Sequence, residues 1–239
     1  MESIAELRAI CQTGVQDTWY GWKVARKASI YLTKLCLYTP VTGNQVTFLM
    51  TLVGIGSGCL FFFDNYWCSI AGALLVHFSF ILDRVDGEVA RHRKQTSRRG
   101  LFLDRMAHAV VFPLIFIGLS FGVYSRSHTP LPFVFGYLAA VFAALNHDLE
   151  NLRIWGHTAA KAKDSTTSAA PSGKPSGVSG LLNRFSTLEI PDPCLPEVVM
   201  YAVLVGAILN SLYPVLIAYA ILQPAKWLIS FVRDVYSQK

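Results

Sequence analysis

Charged side chains are scarce in this sequence. Asp, Glu, Lys and Arg make up 15% of its 239 residues, against roughly 25% in soluble proteins. Five runs hold none at all: Val46 to Phe63, Tyr66 to Leu82, Ala109 to Tyr124, Leu131 to Leu145 and Val198 to Leu222. A soluble fold would need a core apolar on every face of all five segments. Runs that approach the ~20 residues of a bilayer crossing point instead to lipid as the solvent. Metal-ligand spacing is missing among Cys11, Cys36, Cys59, Cys68 and Cys194. At least two of these lie in apolar runs, where Cys acts as a small hydrophobe, so neither zinc nor a disulfide framework is indicated. A cleavable leader is also lacking, because Arg8, Lys23, Arg26 and Lys27 interrupt the first thirty residues. No internal repeat is present, and nothing asks for a nucleic-acid partner.

The charges that remain are placed unevenly. With a cytoplasmic start and crossings at about 46–63, 66–82, 101–124 and 131–148, the stretches 86–100 and 149–197 face the cytoplasm. Arg91, Arg93, Lys94, Arg98 and Arg99 then fall in the first inner loop, and Arg153, Lys161, Lys163, Lys174 and Arg184 in the second. Of 21 basic residues only Arg126 lands outside, as the positive-inside rule requires. The run 198–222 is long enough for one tilted helix or most of two short ones. A turn near Asn210 to Pro214, with a last helix to about Val232, keeps Lys226, Arg233 and Lys239 inside.

The expected fold is therefore all-α, an integral membrane bundle of six transmembrane helices behind an N-terminal amphipathic juxtamembrane helix. Residues 1–43 form the juxtamembrane segment and 44–239 the transmembrane domain. Within residues 3–37, Trp19, Tyr20, Trp22 and Tyr31 mix with Arg8, Lys23, Arg26, Lys27 and Lys34, the pattern of a helix in the headgroup region that anchors rather than catalyses. Residues 161–180, rich in Ser, Gly, Ala and Pro, read as a flexible stretch of a cytoplasmic loop.

Acids at membrane depth are costly, which makes Asp83, Asp86, Glu88 and Asp104 functional suspects. Asp83 and Asp86 are one helical turn apart, with Gly87 and Ala90 continuing nearly the same stripe; Gly100, Asp104 and His108 form another at spacing four. Small residues there allow close approach of a backbone or ligand, and paired carboxylates are the hard ligands that Mg²⁺ prefers. Two such ions can hold a diphosphate, and Arg91 can take a phosphate bidentately.

The spacing Asp83-x2-Asp86-Gly87-x2-Ala90-Arg91-x8-Gly100-x3-Asp104-x3-His108 resembles the signature of the CDP-alcohol phosphotransferases, D-x2-D-G-x2-A-R-x8-G-x3-D-x3-D. Seven of its eight defined positions match across 26 residues. The resemblance implies attack by an acceptor hydroxyl on the β-phosphorus of a CDP-linked donor, release of CMP and formation of a phosphodiester. It implies Mg²⁺ or Mn²⁺, two ions, bound by Asp83, Asp86 and Asp104, with His108 at the position of the fourth ligand. Gly87, Ala90, Arg91 and Gly100 would line the nucleotide. Val41 to Thr47 resembles the family's P-N-x-x-T stretch, with Gly43 in place of the proline, which adds Asn44 and Thr47 to the nucleotide site. A lipid is expected as donor or acceptor, CDP-diacylglycerol among the donors, phospholipid as the product class, and a homodimer as the assembly.

His108 stands where the family has its fourth aspartate. It is expected as the general base, for which an unperturbed pKa near 6.5 suits neutral pH better than the ~3.9 of Asp. The alternatives are a ligand for an ion softer than Mg²⁺ or the mark of a lineage that binds without transferring. Arg84 and Glu88 occupy unspecified positions and read as paired with solvent or headgroups. His92, Arg93, Lys94, Arg98 and Arg99 read as a solvated, lipid-facing surface, and Asn146 to Arg153 as a cap on the fourth helix. Lys226 snorkels or lines an acidic acceptor's pocket. A transporter is the rival class, although transporter sites lie at the midplane and these acids gather at one end of their helices.

Overall fold

The structure is a computed structural model, and it describes residues 2–14, 17–18, 21–164 and 192–237. Every regular element among these residues is helical: α1 (Ile4–Cys11), a wide π-helical turn (Gly21–Ala25), α2 (Arg26–Leu37), α3 (Gly43–Leu60), α4 (Tyr66–His92), α5 (Arg98–Ser127), α6 (Leu131–Asp164), α7 (Pro196–Ile208) and α8 (Leu212–Ser237).

Local chemistry marks the helix starts. Ser3 and Glu6 form a capping box on α1, and Thr42 with Gln45 forms another on α3. The Asn65 side chain accepts from the Trp67 and Cys68 amides at 2.9 and 3.2 Å to open α4, and Ser97 accepts from Gly100 at 3.1 Å to open α5. Between α7 and α8 the chain turns through Asn210 at φ 52°, a left-handed conformation that Asn tolerates. The break therefore falls inside the apolar run 198–222, where a turn was expected.

Tyr66–His92, Arg98–Ser127, Leu131–Arg153 and Leu212–Tyr236 are long and apolar enough to cross a membrane. Their outer faces agree with that reading, since Trp67, Val134, Tyr137 and Ile221 are exposed, a rim that water would penalise and lipid does not. Inside, Phe61, Ile115, Phe116, Leu119, Met200 and Leu216 are fully buried. The backbones of α3 and α5 approach closely through small residues: a Cβ on Gly54 would stand 2.6 Å from Val111, and one on Gly58 2.7 Å from Leu114.

Several expectations are corrected here. Residues 86–92 continue α4 instead of entering a loop, so only 93–97 join α4 to α5. The helix containing Asn146 to Arg153 runs on to Asp164, and these side chains do not cap it. Asn146 is buried and donates to the Gln223 carbonyl at 3.0 Å and to its Oε1 at 2.8 Å, while Arg153 Nε donates to Asp234 at 2.7 Å. Residues 161–164 are helical, and 165–180 lie outside the described residues.

The N-terminal stretch is not one continuous helix. Its pieces fold onto α4 around Glu88, which is fully buried and accepts from Gln12 Nε2 at 2.8 Å, Ser29 Oγ at 2.7 Å and Thr33 Oγ1 at 2.6 Å. An acid expected to meet solvent or headgroups is thus the anchor of this segment, because a buried carboxylate needs several donors to offset its desolvation.

Candidate active site

The acids of the two stripes converge where the C-terminal part of α4 meets the N-terminal part of α5. His108 Nε2 on α5 lies 2.8 Å from Asp83 Oδ1 on α4 and 3.5 Å from Asp104 Oδ1 one turn before it. Asp83, Asp104 and His108 each offer a ligand atom, and these atoms lie within 4.8 Å of one another. Asp86 stands beside this trio with its Oδ2 accepting from Thr47 Oγ1 of α3 at 2.6 Å.

Close approach makes the arrangement possible. A Cβ on Gly43 would come within 2.8 Å of the Asp86 carbonyl, so the start of α3 sits directly on α4 and brings Thr47 to Asp86. A Cβ on Gly100 would meet Asn44 Oδ1 at 3.0 Å, which seats the first turn of α5 against the first turn of α3.

A cavity of about 740 Å³ opens among these helices, within the range of small-molecule sites. Asn44, Thr47, Asp83, Asp86, Gly87, Ala90, Arg91, Gly100 and Asp104 all border it, which brings nine of the eleven candidate residues to one space. His108 stands behind Asp83 and Asp104, its ring stacked on Phe112 at 5.7 Å. Lys226 borders a separate cavity of about 450 Å³ and pairs with Asp192 at 2.8 Å.

Sequence reasoning missed part of the wall. Asp17 and Arg26, from the segment expected only to anchor, border the cavity, as do Arg84, Ser97 and Arg98. Arg84 is bound to Asp83, to Asp17 at 3.2 Å and to Glu197 at 3.6 Å, with Phe80 beneath its guanidinium at 3.9 Å. The basic run is likewise not a uniform lipid-facing surface: Arg98 borders the cavity, His92 pairs with Glu2 at 2.6 Å, and Arg93 donates to the Thr39 carbonyl. Arg91 is held by Nε donation to the Cys11 carbonyl at 2.7 Å. Burial pushes the Cys11 thiol up to about 11, which leaves it protonated and without a nucleophilic role at neutral pH.

The donor set suits a divalent cation. Asp83, Asp86 and Asp104 crowd one site, where Arg84 is bonded to Asp83. Asp104 Oδ1 is buried without a hydrogen-bond partner among the described residues. Clustered carboxylate oxygens beside one imidazole match Mg²⁺ or Mn²⁺ better than thiophilic metals.

Comparison with known proteins agrees. The family model described as CDP-alcohol phosphatidyltransferase matches residues 41–232. A curated relative in Archaeoglobus fulgidus, a bifunctional IPC transferase and DIPP synthase, is 29% identical over 147 residues, 60% of this chain and 29% of the relative. A protein of the same description in Aquifex aeolicus is 33% identical over 91 residues, 38% of this chain and 20% of the relative. The chain spans less than a third of the length of either. Among solved structures, Mycobacterium tuberculosis phosphatidylinositol phosphate synthase with CDP-DAG bound has a similar fold, with a TM-score of 0.52 at 18% identity, covering 87% of this chain and 89% of that one. The same enzyme in complex with manganese and citrate has a TM-score of 0.56, covering 87% of each chain at 18% identity. With a matching family model over well more than half of its length, on a fold shared with a phosphatidylinositol phosphate synthase, the chain belongs to the CDP-alcohol phosphatidyltransferase family.

Proposed function

We propose that the protein transfers a phosphoryl-alcohol group from a CDP-alcohol to an acceptor alcohol, releasing CMP, in phospholipid biosynthesis. The observation that carries this reading is the convergence of Asp83, Asp104 and His108, with Asp86 alongside, on a cavity bordered by Gly43, Gly87 and Gly100. CDP-diacylglycerol is the first donor to test, since the similar M. tuberculosis enzyme is known with CDP-DAG bound.

Asp83, Asp86, Asp104 and His108 would hold Mg²⁺ or Mn²⁺, two ions by the family resemblance. Such ions neutralise a diphosphate and stabilise the attacking and leaving oxygens. Asn44, Thr47, Gly87, Ala90, Arg91 and Gly100 orient the cytidine nucleotide, with Arg91 supplying a planar donor pair for phosphate. The direction of His108 Nε2, toward Asp83 and Asp104 from behind the cavity wall, favours its reading as a ligand. The base reading requires its ring to reach the acceptor hydroxyl instead. Lys226, paired with Asp192 in a cavity of its own, is assigned to an acidic acceptor only if that cavity joins the path of the acceptor.

Six crossings, an inward-facing site with both termini on the same side, and a homodimer complete the proposal. They are supported by the positive-inside pattern, by the break at Asn210 and by the family resemblance. Residues 1–43 act as a juxtamembrane segment beside a catalytic domain of 44–239. The deciding assay follows CMP release from CDP-diacylglycerol with a panel of alcohols, with Mg²⁺, with Mn²⁺ and with chelator. No CMP with any acceptor and either ion would leave the protein a nucleotide-binding homologue. Flux through liposomes without CMP release would make it a transporter.

A further inference from the structure

We propose that Arg26, which lies outside the region matched to the family, is an anion-binding residue of the cavity and takes a phosphate oxygen of a substrate. The proposal rests on the transfer reading for the identity of that substrate.

Arg26 borders the cavity, and its side chain is only 6% exposed. Its Nε donates to Asp17 Oδ2 at 2.7 Å, and its guanidinium carbon stands 5.0 Å from the centre of the Trp22 ring. These two contacts fix the plane of the guanidinium. Its Nη1 is buried and has no hydrogen-bond partner among the described residues. Glu88 Oε1 lies 4.0 Å from Nη1 and already accepts from Gln12 and Ser29.

A guanidinium serving only to brace the fold would have its buried donors satisfied, since each buried donor left open is destabilising. Arg84 shows the contrast: it borders the same cavity and shares Asp17, but is also engaged by Asp83 and Glu197. Arg26 is oriented on one edge by Asp17, keeps an unpartnered Nη1 and borders the cavity, an arrangement that suits a phosphate oxygen, which a planar guanidinium binds well. Asp17 is then a positioning residue, and Glu88 a second one, because its bonds to Ser29 and Thr33 hold α2 against α4. The phosphate belongs either to the donor's diphosphate or to a phosphorylated acceptor.

The test uses the full chain in nanodiscs, titrated with CDP, with inorganic phosphate at saturating CDP, and with cytidine, comparing wild type with Arg26→Gln and Arg26→Lys. Arg26→Gln is expected to weaken one phosphate-bearing probe by about tenfold or more, with cytidine unchanged and Arg26→Lys in between. Loss on CDP assigns the donor diphosphate, and loss on inorganic phosphate assigns the acceptor. Should Arg26→Gln fail to fold, Arg26→Lys carries the comparison. Unchanged affinity for both phosphate probes, or cytidine binding lost in step with them in every folded variant, would overturn the proposal. Wild-type protein that binds phosphate through Arg26 yet releases no CMP would sink the transfer reading and leave this one standing.

Discussion

Replacing Glu88 by Leu tests how the N-terminal segment is held. The carboxylate accepts from Gln12, Ser29 and Thr33 at 2.6 to 2.8 Å and is fully buried. Leucine matches its bulk and removes all three bonds, leaving Thr33 without its acceptor and Gln12 and Ser29 with only the Arg26 carbonyl, at 3.0 and 3.4 Å. At about 1 to 2 kcal/mol per bond, the docked state of α1 and α2 loses about 3 to 6 kcal/mol, a factor of roughly 10² to 10⁴ in its population over the detached state. The α3 to α8 bundle keeps its own packing, so detachment is expected to be local. Limited proteolysis in nanodiscs reads it directly, with cleavage before residue 43 accelerated by that factor in Glu88→Leu. Glu88→Gln keeps one acceptor oxygen and the shape, and falls between. Because Asp17 and Arg26 leave with the segment, substrate affinity weakens in the same order. Equal protease resistance in all three proteins would refute the reasoning, and so would Glu88→Gln behaving as badly as Glu88→Leu.

Asp86→Asn is expected to lower CMP release by at least about a hundredfold while expressing and melting like wild type, because Thr47 can still donate to the amide oxygen; retained turnover would remove Asp86 from the site. His108→Ala is expected to raise the Mn²⁺ concentration for half-maximal CMP release by about tenfold or more, with His108→Asp restoring it. Lost turnover at unchanged ion dependence would instead make His108 the base. Gly54→Val forces new carbons onto Val111, already only 2.6 Å from a Cβ at that position. It is expected to destabilise the α3–α5 packing by about 1 to 3 kcal/mol, read as a lower melting temperature in detergent, and an unchanged melt would show that the two helices can separate freely.

Much of the site was legible because its residues are local in sequence. Asp83 and Asp86, and Gly100, Asp104 and His108, sit at helical spacing, so periodicity alone puts each set on one stripe, and hydropathy makes both helices. Lipid as the solvent follows from missing charge, and the helix starts follow from Ser3, Thr42, Asn65 and Ser97. The joining of the stripes was an inference from chemistry, which the contact of His108 with Asp83 across 25 positions now gives a geometry.

What composition could not reveal is where the chain returns. A stretch of aromatic and basic residues looks the same whether it lies among headgroups or folds back on a helix, so the bonds from Gln12, Ser29 and Thr33 to Glu88, across 55 to 76 positions, left no periodic trace. The same holds for Asp17 and Arg26 at the cavity, for Asn146 against Gln223 and for Lys226 on Asp192. Spacing and hydropathy are properties of neighbours along the chain and decide helices, stripes and solvent. The partners of a buried charge are decided only when distant helices pack, because desolvation makes each such group bond to whatever donor the fold brings within reach.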